Sequence, residues 1–220
     1  MIELFGHPFS SYTWKALIAL YENNTAFHFR KLDADCPDNI QRLQTLSPQH
    51  KFPLLVEENT CLFESSVIIE YLQLRHPGET IFIPANPDDA LQVRMLDRFF
   101  DCYVMTPVQA IVNDFMREPD KRDPVGVEHA QDMLKRSYQW LNTRLSEGDQ
   151  PYLGGKPFCL VDCAAAPSLF YADWLVPLDS GLSALQDYRG RLLQRPSVKR
   201  CVDEARPFRY LFPPGAPDRD

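Results

Sequence analysis

The sequence predicts a mixed α/β part followed by a part built only from helices. Over the first 80 residues, short stretches with strand-like alternation are interleaved with stretches whose apolar residues recur at helical spacing. After Ile83-Pro84-Ala85-Asn86-Pro87, which we interpret as a linker, only the helical spacing is found. A chain of 220 residues can form two domains, and we place them at 1–80 and 81–220.

The elements of the first part follow the order βαβαββα. The turn residues Glu58-Asn59-Thr60 separate the last two strands and indicate a hairpin. The predicted elements are strand Ile2–Phe5, helix Ser11–Tyr21, strand Phe27–Leu32, helix Asn39–Leu46, strands Leu54–Glu57 and Cys61–Phe63, and helix Ser65–Arg75. This order predicts a mixed sheet with helices packed on it.

The second part is predicted to begin with a long helix that Asp88 caps and that ends at Met116. The remaining apolar stripes predict helices over Val125–Leu145, Leu160–Trp174, Gly181–Leu193 and Pro196–Glu204.

Composition excludes several classes of function. A net charge of −7, with no basic run, disfavours nucleic acid as a partner. No apolar stretch approaches the roughly 18 residues of a membrane helix, and no signal peptide precedes Ile2, so we expect a cytoplasmic protein without membrane contact. The six cysteines include no Cys-x-x-Cys pair, so we expect reduced thiols and no metal.

Two short motifs contain residues suited to binding a ligand. Phe52–Pro53 precedes a predicted strand, and a cis bond there would turn the N–H and C=O of Phe52 outward, toward a peptide-like ligand. Glu64 and Ser65 stand at the start of a predicted helix. A carboxylate and a helix N-terminus suit the ammonium and carboxylate groups of one ligand. These motifs together predict a site for a small zwitterionic peptide.

The chain resembles the glutathione S-transferase superfamily over nearly its whole length. The run Phe5–Ser10 (FGHPFS) is similar to phi-class proteins, and Ser10–Lys15 (SSYTWK) resembles the zeta-class opening, where a cysteine normally stands at position 12. Phe52–Pro53 and Glu64–Ser65 match the glutathione-binding motifs of the family. The resemblance implies a thioredoxin-like N-terminal domain, an all-α C-terminal domain, glutathione as co-substrate and a homodimer.

The resemblance also implies a role for each site residue. Ser10 would donate its hydroxyl to the glutathione thiolate, with Ser11 and Tyr12 as the alternatives, although a serine here could also simply cap the helix. Lys51 would bind the glycyl carboxylate, and Phe52, before Pro53, would pair its backbone with the cysteinyl unit. Glu64 and Ser65 would hold the γ-glutamyl end.

The second substrate is expected between the two domains, in an apolar pocket formed by Phe9, Tyr12, Tyr103, Phe115 and Met116. The leading prediction is therefore an enzyme that adds glutathione, as thiolate, to a small electrophile. The alternatives are a glutathione-dependent cis–trans isomerase and a non-catalytic binding or regulatory protein of the same fold. Thiol–disulfide exchange is disfavoured because the stretch from His7 to Tyr12 contains no cysteine.

Overall fold

A four-stranded mixed sheet forms the N-terminal part of the molecule, with the strands in the order β2-β1-β3-β4. The computed structural model describes residues 1–220. The elements of this part are β1 (Ile2–Gly6), α1 (Ser11–Glu22), β2 (Phe27–Lys31), α2 (Pro37–Leu46), β3 (Leu54–Glu57), β4 (Thr60–Phe63) and α3 (Ser65–Arg75). The predicted order is thus confirmed.

The strand directions follow from the connections. β1 and β2 run parallel because α1 crosses between them, whereas β3 pairs antiparallel with β1 on one side and with β4 on the other. The hairpin closes at the pair Glu57 and Thr60, and Glu58 adopts the positive φ of 52° within the turn. This arrangement places the start of β3 beside the start of α1.

The C-terminal part is helical throughout. Its elements are α4 (Pro87–Phe99), a π-helical segment (Phe100–Met105), α5 (Thr106–Phe115), α6 (Pro124–Glu147), α7 (Leu160–Leu175), α8 (Ser183–Gln194) and α9 (Pro196–Ala205), with short 3-10 helices at Pro119–Lys121 and Arg206–Leu211. No helix of the chain is both long and apolar enough to cross a bilayer.

The predicted N-cap of the first long helix was wrong by two residues. Asn86, not Asp88, is the N-cap, and its side-chain oxygen accepts hydrogen bonds from the N–H groups of Asp88 and Asp89 at 2.9 and 3.1 Å. Pro87 explains the difference, because proline at the first helical position has no N–H and a φ already suited to the helix.

The predicted single helix from Asp88 to Met116 is also interrupted. At Phe100–Met105 the chain is π-helical, which changes the direction in which the following side chains point. Residues that α-helical spacing would assign to one face of the helix therefore lie on different faces before and after this segment. This affects which side chains reach the site.

One hydrophobic core runs through both parts of the chain. A single cluster of 49 buried residues includes Leu4 of β1, Trp14 of α1 and Leu169 of α7. The indole of Trp14 lies 4.9 Å from the ring of Phe170, measured between ring centroids. α1 is therefore shared by the sheet and the helices, and the division at residue 80 stays a prediction.

Candidate functional site

The loop between β1 and α1 is held from both parts of the chain. Trp14 Nε1 donates a hydrogen bond to the carbonyl oxygen of Pro8 at 2.5 Å, and the Tyr171 hydroxyl donates to the carbonyl of Phe9 at 2.9 Å. Ser10 follows directly as the N-cap of α1, and its Oγ accepts from the Thr13 N–H at 3.3 Å. The cap uses Ser10 as an acceptor, which leaves its own O–H free to donate.

A cavity of about 600 Å³ opens beside this loop, between the sheet and the helical part. Ser10 and Tyr12 line it, whereas Ser11 does not. From the N-terminal part the remaining lining residues are Ser47, Pro48, Gln49, His50, Lys51, Phe52, Pro53, Phe63, Glu64 and Ser65. The structure thus places two short segments, Lys51–Phe52–Pro53 and Glu64–Ser65, in one cavity with the hydroxyl groups of Ser10 and Tyr12.

The Phe52–Pro53 bond is cis, as the peptide-binding hypothesis requires. Phe52 makes no backbone–backbone hydrogen bond, although the next residue but one, Leu54, opens the paired strand β3. Its main-chain donor and acceptor therefore remain available to an extended ligand at this edge of the cavity.

The junction between β4 and α3 has an unusual backbone. Glu64 is the N-cap of α3 and adopts φ 72° and ψ 108°, a conformation that a residue with a side chain rarely adopts and that is typical of functional positions. Its exposed carboxylate makes no hydrogen bond to the protein, and Ser65 begins the helix behind it. A free carboxylate beside the positive end of a helix can bind an ammonium and a carboxylate side by side.

The helical part contributes a wall that sequence reasoning missed. This wall consists of Arg98 from α4, Asp101 and Cys102 from the π-helical segment, and Thr106 and Gln109 from α5. Arg98, Cys102, Thr106 and Gln109 follow one another at spacings of three or four, with Asp101 directly before Cys102, so a polar stripe in a helical stretch was the available signal. Their common direction depends on the π-helical segment, which spacing alone does not reveal.

A buried ion cluster joins this wall to the N-terminal part. Lys15 of α1 is only 1% exposed, and its Nζ lies 2.6 Å from Asp97 Oδ1 and 2.9 Å from Asp101 Oδ2. Nζ also donates to Ser66 Oγ at 2.9 Å, and Arg98 binds the same serine and both aspartates. Lys15 thereby joins α1, α3, α4 and the π-helical segment, all of which carry residues of the cavity or of its support.

Burial raises the pKa values of two groups in the cavity. It raises the pKa of Tyr12 well above its usual range, and the nearby Asp101 carboxylate raises that pKa further. Burial also raises the pKa of Asp101, which Lys15 partly offsets. Tyr12 therefore remains a neutral phenol and a hydrogen-bond donor at physiological pH.

Three of the predicted electrophile-binding residues do not reach the cavity. Tyr103 lies on the other side of the helix, with its ring 5.4 Å from that of Phe99. Phe115 lines a separate cavity, with the guanidinium of Arg122 over its ring at 4.7 Å, and Met116 is 62% exposed. The π-helical segment, together with the end of α5 at Phe115, accounts for this outcome.

Phe9 also differs from the prediction. Its ring packs against those of Tyr171, Trp174 and Phe212 at 5.4–6.4 Å, so it supports the loop from behind instead of lining the cavity. Tyr12 alone, among the five residues predicted to form an apolar pocket, lies at the cavity surface.

Comparison with known proteins identifies the family to which this fold belongs. Residues 4–80 match the family described as glutathione S-transferase, N-terminal domain. The chain belongs to the glutathione S-transferase superfamily. A probable glutathione S-transferase of Nicotiana tabacum is 29% identical over 164 residues, which cover 74% of this chain and 68% of the relative.

Two further proteins similar to this superfamily member bear on its interpretation. A stringent starvation protein A homolog of Coxiella burnetii (strain RSA 493 / Nine Mile phase I) is 26% identical over 208 residues, or 93% of each chain. A glutathione S-transferase of Methylobacillus flagellatus, solved with glutathione bound, shares the fold with a TM-score of 0.80 at 22% identity, over 91% of this chain and 98% of that one.

Proposed function

We propose that this protein is a glutathione transferase that holds glutathione as a thiolate and transfers it to a small electrophile. The observation that supports the proposal best is the meeting, in one cavity, of the Ser10 and Tyr12 hydroxyls with the unpaired backbone of Phe52 and with Glu64. A tripeptide with a thiol at its centre has groups for all of these positions.

The chemistry follows from the thiol. A free thiol has a pKa of about 8.5, so only a few per cent is thiolate at pH 7, and the thiolate is the nucleophile. A hydroxyl from Ser10, together with the N-terminus of α1, would stabilise the anion and lower this pKa. The sulfur then forms a bond to the electrophilic carbon, and either a leaving group departs or the displaced electron pair takes a proton.

The remaining predicted roles are part of the same proposal. Glu64 would bind the ammonium of the γ-glutamyl unit, and Ser65 with the start of α3 would bind its carboxylate. Lys51 would bind the glycyl carboxylate. The homodimer implied by the family also stays a prediction, which sedimentation of the purified protein would test.

Two measurements test the proposal directly. Calorimetry should detect glutathione binding, and the protein should conjugate glutathione to at least one compound in a panel of halides, epoxides and enones. Protein that neither binds glutathione nor conjugates any of these compounds would contradict it. An isomerase would instead convert a maleyl diacid without consuming glutathione.

Cys102 provides a specific test of where glutathione binds. It is exposed in the cavity, whereas Cys61, which is also exposed, lies outside it. Saturating S-methylglutathione, which has no free thiol, should slow alkylation of Cys102 by iodoacetamide at least fivefold and leave the rate at Cys61 unchanged. Peptide mass spectrometry measures both rates in one sample, and equal rates at Cys102 with and without ligand would place the ligand elsewhere.

A non-catalytic binding protein is the second candidate. It is favoured by the relative that matches over 93% of both chains and is named as a stringent starvation protein A homolog, not as a transferase. A stoichiometric protein partner recovered from cell extract, combined with glutathione binding but no conjugation, would favour this function over the first.

A further inference from the structure

The wall that faces Ser10 and Tyr12 across the cavity has no aliphatic or aromatic side chain. Its members are Arg98, Asp101, Cys102, Thr106 and Gln109. Apart from the ring of Tyr12, the apolar side chains that line the cavity elsewhere belong to the segments that would hold the tripeptide: Pro48, Phe52, Pro53 and Phe63. The space left for a second substrate is therefore bordered by polar groups.

These polar groups retain unused hydrogen-bonding capacity. The side-chain amide of Gln109 is exposed and makes no hydrogen bond within the protein. Arg98 uses Nε and Nη2 for its contacts with Asp97, Asp101 and Ser66, while Nη1 makes none. A substrate that buries these groups without forming hydrogen bonds to them binds less tightly, because removing an unpaired polar group from water costs free energy.

The charges of the wall are balanced within the protein. Lys15 and Arg98 carry two positive charges, and Asp97 and Asp101 oppose them at 2.6–2.9 Å. The cluster thus presents hydrogen-bonding groups without a net charge, which favours a neutral polar molecule over an ion.

We infer that the second substrate is a small, neutral, polar electrophile whose hydroxyl or amide groups hydrogen-bond to Gln109 and its neighbours. This inference rests on the proposed function and adds the class of substrate. It also replaces the apolar pocket that the sequence predicted. A site that forms a hydrogen bond to one group of its substrate strongly rejects an analogue that lacks this group. An apolar pocket distinguishes substrates of different size less strongly.

Two acrylate esters of equal size test the inference. 2-Hydroxyethyl acrylate and n-propyl acrylate share one reactive group and differ by a hydroxyl in place of a methyl. In both, the thiolate sulfur bonds to the β-carbon, the alkene electron pair becomes an enolate, and a solvent proton completes the thioether. After correction for the uncatalysed rates, kcat/KM should be at least tenfold higher for the hydroxyethyl ester.

The variant Gln109→Leu should reduce the ratio of the two kcat/KM values to about twofold or less. Gln139 is an exposed glutamine outside the cavity, so the control variant Gln139→Leu should leave the ratio unchanged. Equal or better use of the propyl ester by wild-type protein would overturn the inference, as would an unchanged ratio in Gln109→Leu.

The two thioether products give a measurement that does not require catalysis. Calorimetry should show at least tenfold tighter binding of the hydroxyethyl product, and equal affinities would overturn the inference. Protein that binds the products with this preference but forms neither would refute the transferase proposal alone. The two failures are therefore distinguishable.

Discussion

Replacing Ser10 with alanine is expected to lower kcat/KM for glutathione conjugation about 10- to 100-fold at pH 7. A hydrogen bond to a charged group is worth about 1.5–3 kcal/mol, and its loss raises the pKa of the bound thiol by one to two units. The pH profile of kcat/KM should shift to higher pH by the same amount, so activity should recover as the pH rises. Stopped-flow titration of the bound thiolate measures the shift directly.

Neighbouring hydroxyls supply the controls for this result. Ser11→Ala should leave the profile unchanged because Ser11 does not line the cavity, and Ser10→Thr should retain most of the activity. If Tyr12→Phe instead shifts the profile and Ser10→Ala does not, the phenol is the donor. Ser10→Ala should also lower the free energy of unfolding by about 1 kcal/mol, because the N-cap is lost.

Replacing Lys15 with methionine is expected to destabilise the protein by about 3–5 kcal/mol. The change removes the buried cation between Asp97 and Asp101 and leaves Arg98 as the one cation for two carboxylates, which costs far more than losing an exposed ion pair. Urea denaturation at pH 7 measures the loss. Lys121→Met, which removes an exposed pair with Glu118, should change stability by no more than about 1 kcal/mol.

The pH dependence of this loss provides a second readout. Without Lys15 the folded carboxylates should have raised pKa values, so the folded variant takes up protons more readily than its unfolded chain. Its stability relative to wild type should therefore improve as the pH falls from 7 to 4. A deficit that is the same at both pH values would show that lost packing, not the excess negative charge of the two carboxylates, causes the destabilisation.

Sequence alone predicted the fold well because most of its signals are local. The hairpin around Glu58 and the bounds of α3, Ser65–Arg75, followed from turn chemistry and apolar spacing. The π-helical segment at Phe100–Met105 was not predictable in this way. It is only six residues long, which is too short for its apolar residues to show a spacing distinct from that of an α-helix. It separated Tyr103 from the cavity and brought Thr106 and Gln109 into it.

The tripeptide motifs were recognisable for a different reason. Each of Phe52–Pro53 and Glu64–Ser65 is a weak signal alone, but the motifs occur in the order and at the spacing that the family shows, and the cavity contains all four residues. The position of Lys15 in the sequence also indicated a buried ion pair, which was not among the predictions. A lysine within the apolar run Trp14–Leu20 must either reach solvent or meet buried carboxylates, but a single sequence does not identify its partners.

The shared core has a consequence for recombination between relatives. Trp14 lies in the first third of the chain, yet its ring contacts Phe170 and Tyr171, so a transplanted sheet would expose this indole unless the recipient helices were shaped to receive it. Chimaeras cut at residue 80 should for this reason be insoluble unless positions 14 and 170 are exchanged as a pair. A substitution at position 14 is for the same reason expected to require a compensating one in α7.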